Sequence, residues 1–238
     1  MEAHAMGRLS RIPAGYHETE PVTIRVKEPG SALTHFMGFC AALTGAPFLL
    51  KRFYECGQDA VAMLGAVVFA LSMLLLYGAS TSYHTFYLKS DRANLRLKKF
   101  DHLSIFVLIA GTYTPLCLTV LRNSSGPLLL GLVWGIAIVG MCFKFFWVTC
   151  PKWVSTVLYV GMGWLCVIAF PDILANMPHP AFLKLLWGGI VYTMGGILYA
   201  LKLKKLNAVS PYFGSHEIFH LFVMAGNILQ FMALYESV

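Results

Sequence analysis

AVAMLGAVVFALSMLLLYGASTSYHTFY, residues 60–87, contains no Lys, Arg, Asp or Glu, yet its last two turns carry Ser80 and His84. About 20 predominantly apolar residues suffice to cross the hydrocarbon of a bilayer. This stretch therefore spans a membrane, with length left to tilt or to extend beyond it. Working outward, comparable stretches fall near 32–50, 102–121, 126–147, 153–170, 181–201 and 215–235, which makes seven spans.

The composition agrees. Of 238 residues, 58% are hydrophobic and only 12% are charged, with a mean hydropathy of +0.67. A soluble domain carries about 25% charged residues. The expectation is an all-α, multi-pass protein of the cell membrane: one seven-helix transmembrane domain over 31–238, preceded by a polar lead over 1–30. The lead mixes acids and bases (Glu2, Arg8, Arg11, Glu18, Glu20, Arg25, Lys27, Glu28). It lacks the basic-then-apolar order of a cleavable signal peptide, and Pro13 and Gly15 favour little structure of its own. Six cysteines (Cys40, Cys56, Cys117, Cys142, Cys150, Cys166) stand singly, with no CxxC pair. They read as small apolar packing residues.

The net charge of +7 does not mark nucleic-acid binding, because the basic residues cluster between apolar runs with no interleaved aromatic stripe. It marks topology, since Lys and Arg concentrate in cytoplasmic loops. The lead, the 88–101 loop, the 144–152 connection and the 202–214 loop hold fourteen Lys and Arg, while the opposite side holds four: Lys51, Arg52, Arg122 and Lys184. That bias places the N-terminus in the cytoplasm and the C-terminus outside. Lys144 is expected to snorkel to the inner headgroups. Trp147, Trp153, Tyr159 and Trp187 are expected at the interfaces, and glycines within the spans (Gly135, Gly140, Gly161, Gly163, Gly188, Gly189, Gly195, Gly196) are expected to let helices approach closely.

In that topology His84 ends the second span on the inner side, His216 and His220 open the seventh there, and Asp101 with His102 stands at the mouth of the third. Ionisable groups at such depths are functional candidates, because an unpartnered one is costly. His216 and His220 lie at i and i+4, on one helical face with Cβ atoms about 5–6 Å apart. Two imidazoles so spaced can share a metal ion, and His84 completes a tripod. Three protein ligands with one open position is the usual arrangement of a catalytic zinc, and nitrogen donors suit Zn2+ better than magnesium or calcium.

Ser80 lies one turn before His84 on the same face. Its hydroxyl either reaches the metal-bound water or a substrate carbonyl, or bonds back to its own helix. Asp101 is expected either to cap the third helix or to serve the metal site as a base. His102 is turned about 100° from Asp101 along a helix, which suits an outer contact rather than ligation. HEIFH, residues 216–220, also satisfies the zinc-protease pattern HExxH, in which the glutamate is the base; Glu217 equally complements a helix N-terminus. On the residues alone, either acid fits the role of base. His4, His17, His35 and His179 match no pattern and are expected to be incidental.

GSALTH (30–35), STSYH (80–84), DHLSIFVLIAGTYTP (101–115) and SHEIFHLFVMAGN (215–227) resemble the haemolysin III family. That family is similar to the progestin and adiponectin receptors and, more widely, to the alkaline ceramidases, which share S-x3-H, an Asp and H-x3-H. The resemblance covers nearly all of the chain after about residue 25. It implies a seven-helix barrel with an inside N-terminus, zinc on His84, His216 and His220, Asp101 against the bound water, and Ser80 nearby. Glu217 is outside the shared signature, which ranks it behind Asp101. The expected activity is zinc-dependent hydrolysis of a membrane-lipid amide or ester at the inner leaflet. The alternative is a non-catalytic, receptor-like membrane regulator with a structural zinc. A pore-former or transporter ranks lower, because mid-span positions are almost wholly apolar, and a membrane protease using Glu217 ranks lowest.

Overall fold

Asp59 accepts the Ala62 N–H at 2.9 Å, a side-chain cap that satisfies one of the orphan donors at a helix start and launches the second span. The computed structural model describes residues 26–201 and 213–238; among them, seven helical stretches are long and apolar enough to cross a membrane. The first four are α1 (Pro29–Glu55), α2 (Ala60–Thr85), α3 (Asp91–Leu118) and α4 (Gly126–Phe146). The fifth span is composite: α5 (Lys152–Gly163), a 3-10 segment (Trp164–Ala169) and α6 (Phe170–Asn176). The last two are α7 (His179–Leu201) and α8 (Ser215–Glu236). His4, His17 and most of the polar lead, along with Lys202, Lys204 and Lys205, lie outside the described residues.

Two expectations about element boundaries change. The charged stretch after α2 is helix rather than loop, so α3 begins at Asp91 and Asp101 sits within it. Asp101 therefore does not cap a helix. Ala93, Leu95, Leu97, Lys98 and Lys99 are good helix formers, and Asp91 in the first turn complements the helix dipole. The fifth span also runs past residue 170, to Asn176. Its 3-10 segment leaves backbone groups that Tyr113 of α3 meets. The Tyr113 hydroxyl donates to the Gly163 carbonyl at 2.5 Å and accepts the Cys166 N–H at 3.0 Å.

Helix α2 packs extensively on α1 and α3, α7 packs on α8, and α8 returns to α1. With α5 between α3 and α7, six elements form a ring, and α4 lies against α3 outside it. Side chains such as Leu64, Val139 and Phe146 face outward, and this apolar exterior is what a lipid-embedded bundle presents in place of a polar surface.

Close approach is visible at Gly65, where a Cβ would lie 2.8 Å from Cα of Pro115, a backbone atom of α3 that cannot yield cheaply. Gly65→Ala is expected to destabilise the bundle by about 1–3 kcal/mol, as overpacking does; thermal unfolding in detergent measures it. Of the glycines read as packing positions, Gly140, Gly188, Gly195 and Gly196 do meet neighbouring side chains, whereas Gly135, Gly161, Gly163 and Gly189 face open space.

Lys144 does not snorkel. It is 1% exposed, and its Nζ donates to Ser155 Oγ at 2.7 Å and Cys150 Sγ at 3.1 Å, because the loop after α4 and the first turn of α5 supply those acceptors. Tyr159 likewise points inward and donates to the His102 carbonyl at 3.2 Å, while Trp147, Trp153 and Trp187 are exposed. The middle of the bundle is also less apolar than it reads. Asn227 of α8 donates to Tyr77 of α2 at 2.7 Å and accepts from Tyr192 of α7 at 2.5 Å.

Candidate metal centre

His84, His216 and His220 offer ring nitrogens that all lie within 4.8 Å of one another, a set geometrically capable of holding a metal ion. His84 arrives on the last turn of α2, and His216 and His220 arrive on the first turns of α8. The ring centroids are 4.5 Å apart for His216 and His220, 5.0 Å for His84 and His216, and 5.1 Å for His84 and His220.

Hydrogen bonds on the outer side of two rings orient the inner nitrogens. His84 Nδ1 donates to the Glu28 carboxylate, which leaves the Nε2 lone pair free. That bond holds the Glu28 carboxyl below the ordinary carboxylate range. The backbone locks the contact in place, since the Glu28 N–H donates to the His84 carbonyl at 2.9 Å and the Lys27 N–H to the Thr85 carbonyl at 3.2 Å. On the other ring, Thr34 Oγ1 lies 3.1 Å from His220 Nδ1 and 3.0 Å from the Gly30 and Ser31 carbonyls. The one hydroxyl proton goes to a carbonyl, so the oxygen accepts from Nδ1–H and Nε2 of His220 carries a lone pair. His216 Nε2 faces His84 Nε2 at 3.3 Å, and its Nδ1 is buried without a partner. Nitrogen lone pairs gathered at one point are an arrangement that a shared cation satisfies.

Several of these partners escaped the sequence reading. Glu28 was placed in a lead with little structure, and Thr34 was not singled out. His35, expected to be incidental, is 3% exposed and stacks on His220 with centroids 3.5 Å apart and planes at 12°. The i, i+3 and i+4 spacing of Ser31, Thr34 and His35 on α1 was the available signal, although nothing in it says which helix they face.

A cavity of about 520 Å³ opens beside the cluster, lined by α1, α2, α3, α5 with its 3-10 segment, α7 and α8. Asp101, 8% exposed, and Ser80, 1% exposed, both line it together with the three histidines, so the structure brings all five expected site residues to one space. Ser80 Oγ is buried without a hydrogen-bond partner. His102 lines the same cavity, and its Nδ1 is unpartnered. Along α8 the cavity runs from His216 to Gln230, about 20 Å at the helical rise. Its charged lining residues (Glu28, Lys98, Asp101, Lys152 and Glu217) gather at the histidine end.

Glu217 is already engaged. It accepts the Gly214 N–H at 2.8 Å, closing the start of α8, and the Ser31 hydroxyl from α1. Both of its oxygens are therefore occupied in holding α8 to its neighbours.

Seven apolar spans, six of them ringed around a cavity with three histidines at one end, define a polytopic membrane protein built about a potential metal site. The chain belongs to the haemolysin III-related family, whose model, described as "Haemolysin-III related", matches residues 23–231. It is 35% identical over 210 residues to the "Hemolysin-3 homolog" of Bacillus subtilis (strain 168), covering 87% of this chain and 92% of that one. It is 34% identical over 208 residues to the "Hemolysin-3" of Bacillus cereus, covering 87% and 90%.

Proposed function

We propose that the protein is a zinc-dependent hydrolase of a lipid amide or ester, with its site at the inner leaflet and its N-terminus in the cytoplasm. The observation that carries this is the 3.3 Å between His84 Nε2 and His216 Nε2 within a three-histidine cluster that borders a deep, mostly apolar cavity. Two nitrogens each about 2.0–2.1 Å from a tetrahedral zinc stand about 3.3–3.4 Å apart, so the donor set and its spacing fit zinc. His84, His216 and His220 would hold the ion. A zinc ion held there would supply Lewis-acid polarisation of a substrate carbonyl and activation of water at neutral pH. The charge bias of the loops supports the inner-leaflet placement.

The chain's own residues supply the rest. Asp101 takes a proton and returns it to the leaving amine or alcohol. The Ser80 hydroxyl, with no closed hydrogen bond, is available to donate to the substrate carbonyl. The apolar length of the cavity receives an acyl chain and excludes water from the reacting end. A mass-spectrometric screen of membrane lipids, wild type beside Asp101→Asn, tests the activity; a cleaved amide or ester in the wild type alone is the expected result, and identical lipid profiles would refute it.

A second reading is a non-catalytic regulator in which zinc is structural. One observation favours it: α2 and α8 each pack on α1 and meet one another through His84–His216 and Tyr77–Asn227. A metal there would tie two spans, and a structural zinc contributes about 10–16 kcal/mol in small domains. A pore finds less support, because the charged lining gathers at one end of the cavity.

Glu28→Gln is expected to weaken zinc binding about 10–100-fold, as loss of an outer hydrogen-bond partner to a liganding histidine does. Competition with a chelator of known affinity measures it, and an unchanged affinity would remove Glu28 from the centre.

A further inference from the structure

Lys144 stands out among the buried groups the proposed chemistry does not use. A buried ammonium is expensive unless it is paired, and no carboxylate among the described residues forms a salt bridge with it. Its partners are Ser155 Oγ at 2.7 Å and Cys150 Sγ at 3.1 Å, and those two atoms are themselves 3.4 Å apart, so the three groups close a triangle. The triangle sets a cysteine sulfur directly against a lysine nitrogen, and a neighbouring lysine is one of the surroundings in which cysteines become reactive.

Cys150 is buried, at 8% exposure, in the loop between α4 and α5, whereas Cys117 is 1% exposed within α3. Among the described residues Cys150 is the cysteine whose sulfur meets a lysine nitrogen.

We propose that Lys144 and Cys150 form a reversible redox bridge, a sulfenamide S–N bond made when a peroxide oxidises the thiol. Peroxide transfers one oxygen to Sγ, giving a sulfenic acid and one water; such acids condense with a nearby nitrogen. Lys144 Nζ then attacks Sγ, the S–O bond breaks, and the departing hydroxide takes a proton from the nitrogen to leave as a second water. Sulfur loses two electrons and the peroxide gains them. Ser155 Oγ, within reach of both atoms, carries that proton between nitrogen and leaving oxygen. A thiol reductant reverses the bond.

The bridge would staple the end of α4 to the loop that starts α5, and α5 supplies Lys152, Thr156 and Tyr159 to the cavity. Oxidation is thereby felt at the wall of the site.

The test uses the purified full chain treated with hydrogen peroxide, digested with trypsin without reductant and analysed by mass spectrometry. A bridged Lys144 resists trypsin, so the 145–152 peptide is expected to be lost. A 123–152 peptide lacking two hydrogens replaces it, and dithiothreitol reverses the change. In Lys144→Met, a swap of similar shape, the two-hydrogen deficit is absent and Cys150 oxidises onward to sulfinic acid; Cys150→Ala retains normal cleavage at Lys144. Wild-type protein that is still cut at Lys144, with Cys150 merely gaining oxygen as it does in Lys144→Met, overturns the proposal. A linked peptide that keeps an oxygen overturns the S–N step.

Discussion

Replacing His220 with alanine is expected to strip the protein of its metal. Wild-type protein purified without chelator should carry about one zinc per chain, held by three histidines with one position open. The variant keeps His84 and His216, but the cluster then has two nitrogens and loses the one that Thr34 orients. Losing an outer partner of a ligand costs about 10–100-fold in affinity, and losing a ligand itself should exceed the upper figure. Elemental analysis of both proteins measures the outcome. His220 is buried and stacked on His35, so His220→Phe, which preserves ring stacking without a donor nitrogen, separates metal loss from a packing defect. Metal-free wild-type protein would remove the foundation of the zinc reading.

Asp101→Asn should leave zinc in place and abolish turnover, with a fall of about 10²–10⁴-fold, the range that general acid–base catalysis contributes. Asparagine matches the carboxyl in size and cannot take a proton. Glu217→Gln is the comparison. Glu217 holds the start of α8 and the Ser31 hydroxyl, so its loss should reduce stability more than the chemical step. Turnover by Asp101→Asn with Glu217→Gln inactive, at equal zinc content, would reverse the two roles and restore the HExxH reading. If both variants matched the wild type, neither acid would be the base.

The seven spans and the three histidines were legible because each depends on local information. Span length follows from runs of apolar residues, and i, i+4 spacing puts His216 and His220 on one face whatever the rest of the chain does. The site partners from α1 were not legible, because Glu28, Thr34 and His35 reach the cluster through the packing of α1 between α2 and α8. Periodicity cannot reveal which neighbours a helix has. Lys144 was misread for a related reason. Snorkelling is the default for a basic residue near a span end, and only the fold shows that Cys150 and Ser155 turn back to receive it. Capping stood as one of two roles for Asp101 because its charged neighbours resemble a loop, although their helix propensity carries α3 back to Asp91.

The 3-10 segment of the fifth span has a mechanical consequence. Six residues there rise about 2.0 Å each instead of about 1.5 Å, so the strut is longer and slimmer at its middle, and Tyr113 pegs it to α3 at that point. The rod that presents Asp101 is thus hitched to the flank of the chamber by two phenols, Tyr113 at this point and Tyr159 beside the acid. On the proposed function, a bulky guest that shouldered the fifth span outward would tug on the rod bearing the acid, so that admission and alignment would become one movement.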